Sequence, residues 1–533
     1  MLPYKLLLIL SLLFAVFMLV MLGQRLRISY PILLVIAGLL IGVVPGIPQV
    51  GINPEFIFLL VLPPLLYEAA WYTSWYEFWR WKRPIALLAF GLVIFTSAAV
   101  ALVSSAMIPG FTLALGFLLG GIVSPPDAVA ATSVLKGMAI PRRVLTVLEG
   151  ESLVNDASSL IVFRFALAAV VSGQFVLRAA VVDFFVVAGM GVVIGLAIAH
   201  IMYVIHRWMP TTPSIDTALT LMTPYLMYIV AEQFHFSGVM AVVSGGLFLS
   251  FRSHEILSYR SRIQATGTWS TVVFVLNGLV FILIGLELPA IVAGLGDYSL
   301  MQAIMYGVFI SLLTIAIRIA WVYPAAYIPR ILSKRIRERE SNPGWKGVFL
   351  VSWSGMRGVV SLASALSVPF VAADGATFPQ RNLILFITFV VILFTLVLQG
   401  LSLPVLIRVL GIHEVDERMD EEEQEAAIRL RMTEASLSHL NARFSAELHE
   451  NELVRSLRTQ YEQDIRMIAQ HLDQLECDEH EKALMKRYRE VVAELIGIQR
   501  KELVALRKEQ RFDDEVLRKH EMHLDIEAVR IAD

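Results

Sequence analysis

The feature that most constrains this chain is a succession of apolar runs filling its first 412 residues, each roughly 17 to 30 residues long and bounded by charge, proline or glycine. An α-helix of that length crosses the hydrocarbon core of a bilayer. About thirteen runs are legible, near residues 5–22, 29–46, 54–72, 84–107, 111–135, 142–171, 176–206, 215–235, 236–251, 264–293, 300–328, 345–370 and 382–411. Only a few residues around His235 divide the eighth from the ninth. With 57% hydrophobic and 17% charged residues and a mean hydropathy of +0.68, the chain lies outside the soluble globular range. The fold class expected is an all-α polytopic membrane protein.

Basic residues are unevenly shared between the loops. With the N-terminus outside, the cytoplasmic loops carry Arg25 and Arg27; Arg80, Lys82 and Arg83; Lys136, Arg142 and Arg143; Arg207; Arg252, Arg260 and Arg262; and Arg330, Lys334, Arg335, Arg337, Arg339 and Lys346. The opposite side carries little beyond Lys5, Arg178 and Arg381. Lys and Arg accumulate on the cytoplasmic side, so the asymmetry sets the orientation, and one span more or fewer would scramble it. Gly23, Gln24 and Arg25 follow the first run in place of a small-residue cleavage site, so it reads as a retained span rather than a signal peptide.

Beyond residue 412 the composition changes. Residues 413–533 are rich in Glu, Arg, Lys and Gln, with Leu430, Leu437, Leu440, Phe444 and Leu448 at helical spacing and Asp513 and Asp514 as an N-cap ahead of Val516. This predicts a transmembrane domain over 1–412 and a cytoplasmic tail of three or four helices over 413–533. A net charge of -2 argues against a nucleic-acid partner. The single Cys477 excludes an internal disulfide and a cysteine-based metal site.

Against the apolar background, residues 146–164 (TVLEGESLVNDASSLIVFR) place Glu149, Glu151, Asn155, Asp156 and Arg164 at membrane depth. Ionisable groups there are costly and mark ion or proton pathways. Side chains three and four apart share a helix face, so Ser152, Asp156 and Ser159 make one stripe of hard oxygen ligands and Glu151 with Asn155 an adjacent one. One face suits a cation and the other braces the helix. Polar helix packing accounts for Ser and Asn but not for a buried Asp. Glu68, Asp127, Glu287, Arg318 and Arg357 are further ionisable groups inside apolar runs.

Two runs look interrupted: the fifth at Ser124-Pro125-Pro126-Asp127 and the twelfth at Ser352-Trp353-Ser354-Gly355-Met356-Arg357-Gly358. Broken backbone at membrane depth is tolerated where it lines a cavity or is buried in protein, and a matched pair of breaks marks a transporter's midplane site. Spans one to six and eight to thirteen then form two inverted six-span repeats, with the seventh as linker. Pro63 and Pro64, ahead of Glu68, suggest a third proline-broken stretch. Carboxylates, hydroxyls and freed carbonyls suit a hard cation such as sodium, so Asp156, Asp127, Ser152 and Glu68 are the candidate shell, with Asn155 beside them among the candidate ion- and proton-binding residues and the two arginines balancing buried charge.

At these residues the chain resembles the bacterial sodium/proton antiporters of the monovalent cation:proton antiporter-1 family, which includes the animal sodium/hydrogen exchangers. The match rests on Gly150-Glu151-Ser152-Leu153-Val154-Asn155-Asp156, on Leu62-Pro63-Pro64 leading to Glu68, on His235-Phe236-Ser237-Gly238, on the segment from Asn277 to Leu288, and on Gly355-Met356-Arg357-Gly358. The resemblance implies a core domain holding two crossed broken helices and a dimerisation domain, in a homodimer seated in plasma-membrane lipid. It implies that Asp156 binds cation and proton in turn, helped by Asp127, Ser152 and Glu68; that Glu151 pairs with Arg318; and that Arg357 sits at the crossover. Na+ and H+ would be cargo, with no cofactor. The family commonly has Asp followed by Pro in the fifth span, often with Thr before it; here the order is Pro125-Pro126-Asp127-Ala128, which displaces the break by a residue or two. Asn155 beside Asp156 resembles the electroneutral type, one cation per proton. The rival readings are a K+/H+ antiporter, a channel gated by the tail, and an intramembrane hydrolase. The last lacks a His-Glu-x-x-His, a Gly-x-Ser-x-Gly or a phosphate loop to carry it.

Overall fold

The computed structural model describes the chain apart from residues 1, 27–28, 45–56, 136–137, 139, 174–176, 296–297, 341, 372–377, 413–420, 475–478, 509–515 and most positions from 518 on. Arg27, Lys136, Cys477, Asp513 and Asp514 therefore lie outside the described residues, as do the side chains of Lys5, Arg178 and Arg339. The fold is all-helical. Two compact units are present, Met1–Glu414 and Val415–Asp533.

In the first unit the main helices are α1 (Leu2–Leu26), α2 (Tyr30–Gly42), α3 (Leu62–Tyr72), α4 (Lys82–Met107), α5 (Leu113–Val123), α6 (Ala128–Leu135), α7 (Arg142–Ser172), α8 (Leu177–Trp208), α9 (Pro213–Gln233), α10 (Gly238–Phe251), α11 (Tyr259–Leu286), α12 (Leu300–Leu332), α13 (Gly344–Trp353), α14 (Val359–Leu366) and α15 (Arg381–Leu410). Among the described residues, seven helical stretches are long and apolar enough to cross a bilayer on length and composition, including α4, α7, α11, α12 and α15. Side-chain caps define several starts: Thr112 accepts from Leu115 N–H, Ser237 from Met240 N–H, and Ser299 forms a capping box with Gln302. Between α9 and α10, His235 adopts a left-handed φ of 60°, so the thinnest boundary in the sequence is a real turn.

The helix surfaces are apolar as well as their contacts. On α1, Leu7, Leu10, Phe14, Met18 and Met21 are all exposed at helical spacing, an arrangement suited to hydrocarbon rather than water. Inside lie two apolar clusters, and α7 serves both, with Val144, Val147 and Phe163 in one and Leu153, Val154 and Ala157 in the other. One crossing is set by glycine. A Cβ on Gly38 would meet Ile282 O at 2.3 Å and one on Gly285 would meet Val35 O at 2.2 Å, so only glycine lets α2 and α11 pack this closely.

The proline-broken stretch expected at Pro63 and Pro64 is not a break. A π-helical turn, Ile57–Val61, runs directly into α3, so the chain stays helical through the prolines, and Leu60 O just ahead of them accepts the Tyr225 hydroxyl at 3.1 Å.

The second unit contains α16 (Glu421–Arg443), a short turn Ser445–Glu450, α17 (Glu452–Gln474) and α18 (Glu479–Lys508). Helices α16 and α17 pack on each other. Leu430, Leu437, Leu440 and Phe444 are half-buried and Leu448 is buried, the stripe that their spacing anticipates.

Candidate functional site

Helix α7 starts after Pro141 and runs 31 residues to Gly173, whose left-handed φ of 69° closes it. One face of it is braced. Glu151, wholly buried, receives Arg318 of α12 through two parallel bonds, Nη1 to Oε1 at 2.5 Å and Nη2 to Oε2 at 2.7 Å. The same guanidinium donates from Nε and Nη2 to Val351 O, at the end of α13, at 3.2 and 3.1 Å. Asn155 donates from Nδ2 to Pro126 O in the fifth-span break at 3.2 Å, and Ser158 donates to Ala89 O at 2.5 Å.

The two broken spans cross beside this helix. The α5/α6 break comprises residues 124–127 and the α13/α14 break residues 354–358, and Asp127 N–H donates to Met356 O at 2.7 Å. Four half-helix ends meet here, with one charge for each polarity. Arg357 donates from Nε to Val123 O, the end of α5, at 2.8 Å and from Nη1 to Gly355 O, just past α13; its own N–H reaches Thr395 Oγ1 at 3.1 Å. A cation thus answers the two carbonyl ends. Asp127 answers the amide end of α6, where Oδ1 accepts from Val129 N–H at 2.8 Å and Ala130 N–H at 3.4 Å, and its Oδ2 lies against Gly358 just ahead of α14. Gly358 is compulsory at this point, since a Cβ there would lie 1.7 Å from Asp127 Oδ2.

Between α3, α7, α11 and the crossing lies a cavity of about 280 Å³. Asp156, 8% exposed, Asp127, Ser152 and Glu68 all line it. Asn155, Glu151, Arg318 and Arg357 stand behind it as braces. Ser152 Oγ accepts Ala128 N–H at 3.2 Å, tying the middle of α7 to the start of α6. From Asp156 the cavity extends toward the N-terminal end of α7, where Glu149 lines it with Tyr72 and Thr73 from the end of α3.

Some expectations need revision. Ser159 does not join the ligand stripe: it is buried, and its hydroxyl donates to Asp156 O at 3.0 Å, a back-bond to its own helix. Arg164, given no role by the sequence, pairs with Glu232 near the end of α9. Glu287 lies outside the cavity, at the cap between α11 and the turn Leu288–Ala293. Conversely, Glu149, Asn277 and Ser361 line the cavity. The signal for Glu149 was present, since positions 149, 152 and 156 share a helix face. Asn277 and Ser361 carried no such signal, because a lone amide or hydroxyl in an apolar run reads equally well as glue between packed helices.

A family model described as "Sodium/hydrogen exchanger, transmembrane" matches residues 9–409. The chain belongs to this exchanger family. Relatives run across its length: an uncharacterised Na+/H+ exchanger of Mycobacterium tuberculosis is 34% identical over 99% of this chain and 97% of its own. A sodium, potassium, lithium and rubidium/H+ antiporter of Bacillus subtilis is 35% identical over 71% of this chain and 58% of its own, and the Na+/H+ antiporter ApNhaP of Aphanothece halophytica 32% over 78% and 76%. Among solved structures, the sodium proton antiporter MjNhaP1 from Methanocaldococcus jannaschii at pH 8 has the same fold, with a TM-score of 0.61 at 19% identity, covering 77% of this chain and 99% of that one.

Proposed function

We propose that this exchanger-family chain is a secondary active antiporter that exchanges Na+ for H+ at Asp156. The observation that carries the reading is that the Asp156 carboxyl, almost enclosed by protein, lines a cavity together with Ser152, Asp127 and Glu68. Proton and cation compete for one carboxylate: loading either requires release of the other. Exposure of that site to each side of the membrane in turn then couples the two flows, and the chain's part is to hold the carboxylate, supply neutral and charged oxygens around it, and keep the flanking helices braced. Na+ and H+ are cargo rather than cofactors.

The family relatives named for several alkali cations support Li+ and K+ as further substrates. With Asn155 in place of a second carboxylate, one proton returns per cation. The loop charges favour an outside N-terminus and a cytoplasmic tail in the cell membrane. In that orientation the Glu149 end of the cavity points toward the cytoplasm. A homodimer, as the family resemblance implies, completes the reading.

The test is a pH-gradient assay in everted vesicles with Na+, Li+ and K+ added in turn. Asp156→Asn abolishes cation-driven proton movement while the purified variant keeps its unfolding temperature, and in the native protein the apparent KM for Na+ rises as pH falls because protons occupy the shared carboxylate. Sodium-driven proton flux retained in Asp156→Asn overturns the assignment. Large uncoupled current instead of exchange favours a channel.

A further inference from the structure

The cavity has two unlike walls. Helices α3 and α7 and the α5/α6 break furnish carboxylates and Ser152, whereas α11 and α14 contribute neutral polar groups, Asn277 and Ser361. Asn277 is only 3% exposed, yet no side-chain hydrogen bond joins it to any described residue. Ser361 is 1% exposed and its hydroxyl also has no partner among the described residues. Other hydroxyls here are satisfied: Thr73 donates to Ala69 O at 2.7 Å, Thr132 to Ala128 O at 2.9 Å, and Ser364, one turn along α14, to Val360 O at 2.7 Å. Ser361 lacks that outlet because the residue four positions earlier is Arg357, inside the break and not in a preceding helical turn. Two enclosed, unpaired polar side chains from separate helices are costly to keep unless something in the cavity completes them.

We propose that Asn277 and Ser361 form a proton-blind half of the seat, neutral oxygen donors that replace part of the hydration shell of a monovalent cation while Asp156 supplies its charge. This rests on the Asp156 reading. An amide and a hydroxyl do not titrate at working pH, so they act on the cation and not on the competing proton. Amide and hydroxyl oxygens are hard donors suited to an alkali cation. Their positions set the dimensions of the seat and hence the order of preference among Li+, Na+ and K+. Asn277 is well placed to hold a fixed dimension, because α11 is locked against α2 by the Gly38 and Gly285 contact two turns along.

The experiment compares native protein, Asn277→Ala, Ser361→Ala, Ser361→Thr and Asp156→Asn in proteoliposomes, reading cation KM, maximal rate, the Li+:Na+:K+ ratio and the pH profile at saturating cation. Asn277→Ala and Ser361→Ala each raise KM for Na+ roughly five- to tenfold, the size of one lost neutral contact, and change the cation ratio. The maximal rate and pH profile hold, and Ser361→Thr, which keeps the hydroxyl, stays near native. Protection of each purified variant against heating by added Na+ gives a second readout in any variant that transports poorly: weakened protection supports the proposal, and native protection overturns it. Unchanged KM and cation ratio, or a pH profile displaced together with KM, overturns it too. Unaltered Asn277→Ala behaviour beside an inactive Asp156→Asn removes this inference alone, whereas exchange surviving in Asp156→Asn removes the underlying reading.

Discussion

Glu151 and Arg318 sit side by side with side chains about 1% exposed, and their value lies in what happens when one is missing. A buried pair adds little net stability over a well-packed apolar pair, but removing one partner strands a charge and costs about 3–5 kcal/mol. Arg318→Met leaves Glu151 alone and also deprives Val351 O of its donor, so a large fall in unfolding temperature is expected; Glu151→Gln combined with Arg318→Met recovers part of it, checked by thermal unfolding in detergent. At this scale the sequence was informative about which residues matter, because ionisable side chains in apolar runs stand out. It was silent about geometry. Nothing in Pro126-Asp127-Ala128 announces that one Asp127 oxygen is engaged as a helix cap, and nothing near Arg164 names Glu232, 68 positions away, as its partner.

The two broken spans work as one element. Their carbonyl ends converge on Arg357, and Asp127 caps α6 with its other oxygen against Gly358 ahead of α14, so the crossing is held by opposite charges with little room between them. Gly358→Ala places a methyl where Asp127 Oδ2 now sits. Overpacking of this kind costs about 1–3 kcal/mol and shifts backbone; the expected outcome is loss of most exchange activity in vesicles with a lowered unfolding temperature. Exchange at the native rate in Gly358→Ala shows that the crossing can widen freely. Both breaks were legible because paired prolines, or two glycines around an arginine, cannot continue a helix. Pro63 and Pro64 misled for a related reason: proline removes a helix N–H, but a π turn ahead of it lets the chain stay helical without opening a break.

For the molecule as a whole, hydropathy located the helices well, since a span's length follows from bilayer thickness, while which helices meet depends on contacts that no local pattern encodes, such as Gly38 against Ile282 O. The entire cavity lies within Met1–Glu414. Its central helix also governs the energetics of a full cycle. Where a second acid would stand beside Asp156, Asn155 spends its amide on the Pro126 carbonyl. A carrier whose moving site takes one monovalent ion in either direction shifts no net charge, so the membrane potential, worth about 2.3 kcal/mol per elementary charge at 100 mV, does no work on it. Exchange rates in proteoliposomes are therefore expected to stay the same when a K+ diffusion potential of either sign is imposed with valinomycin. Voltage can neither drive nor stall such a carrier, and it comes to rest when the sodium and proton ratios across the bilayer are equal.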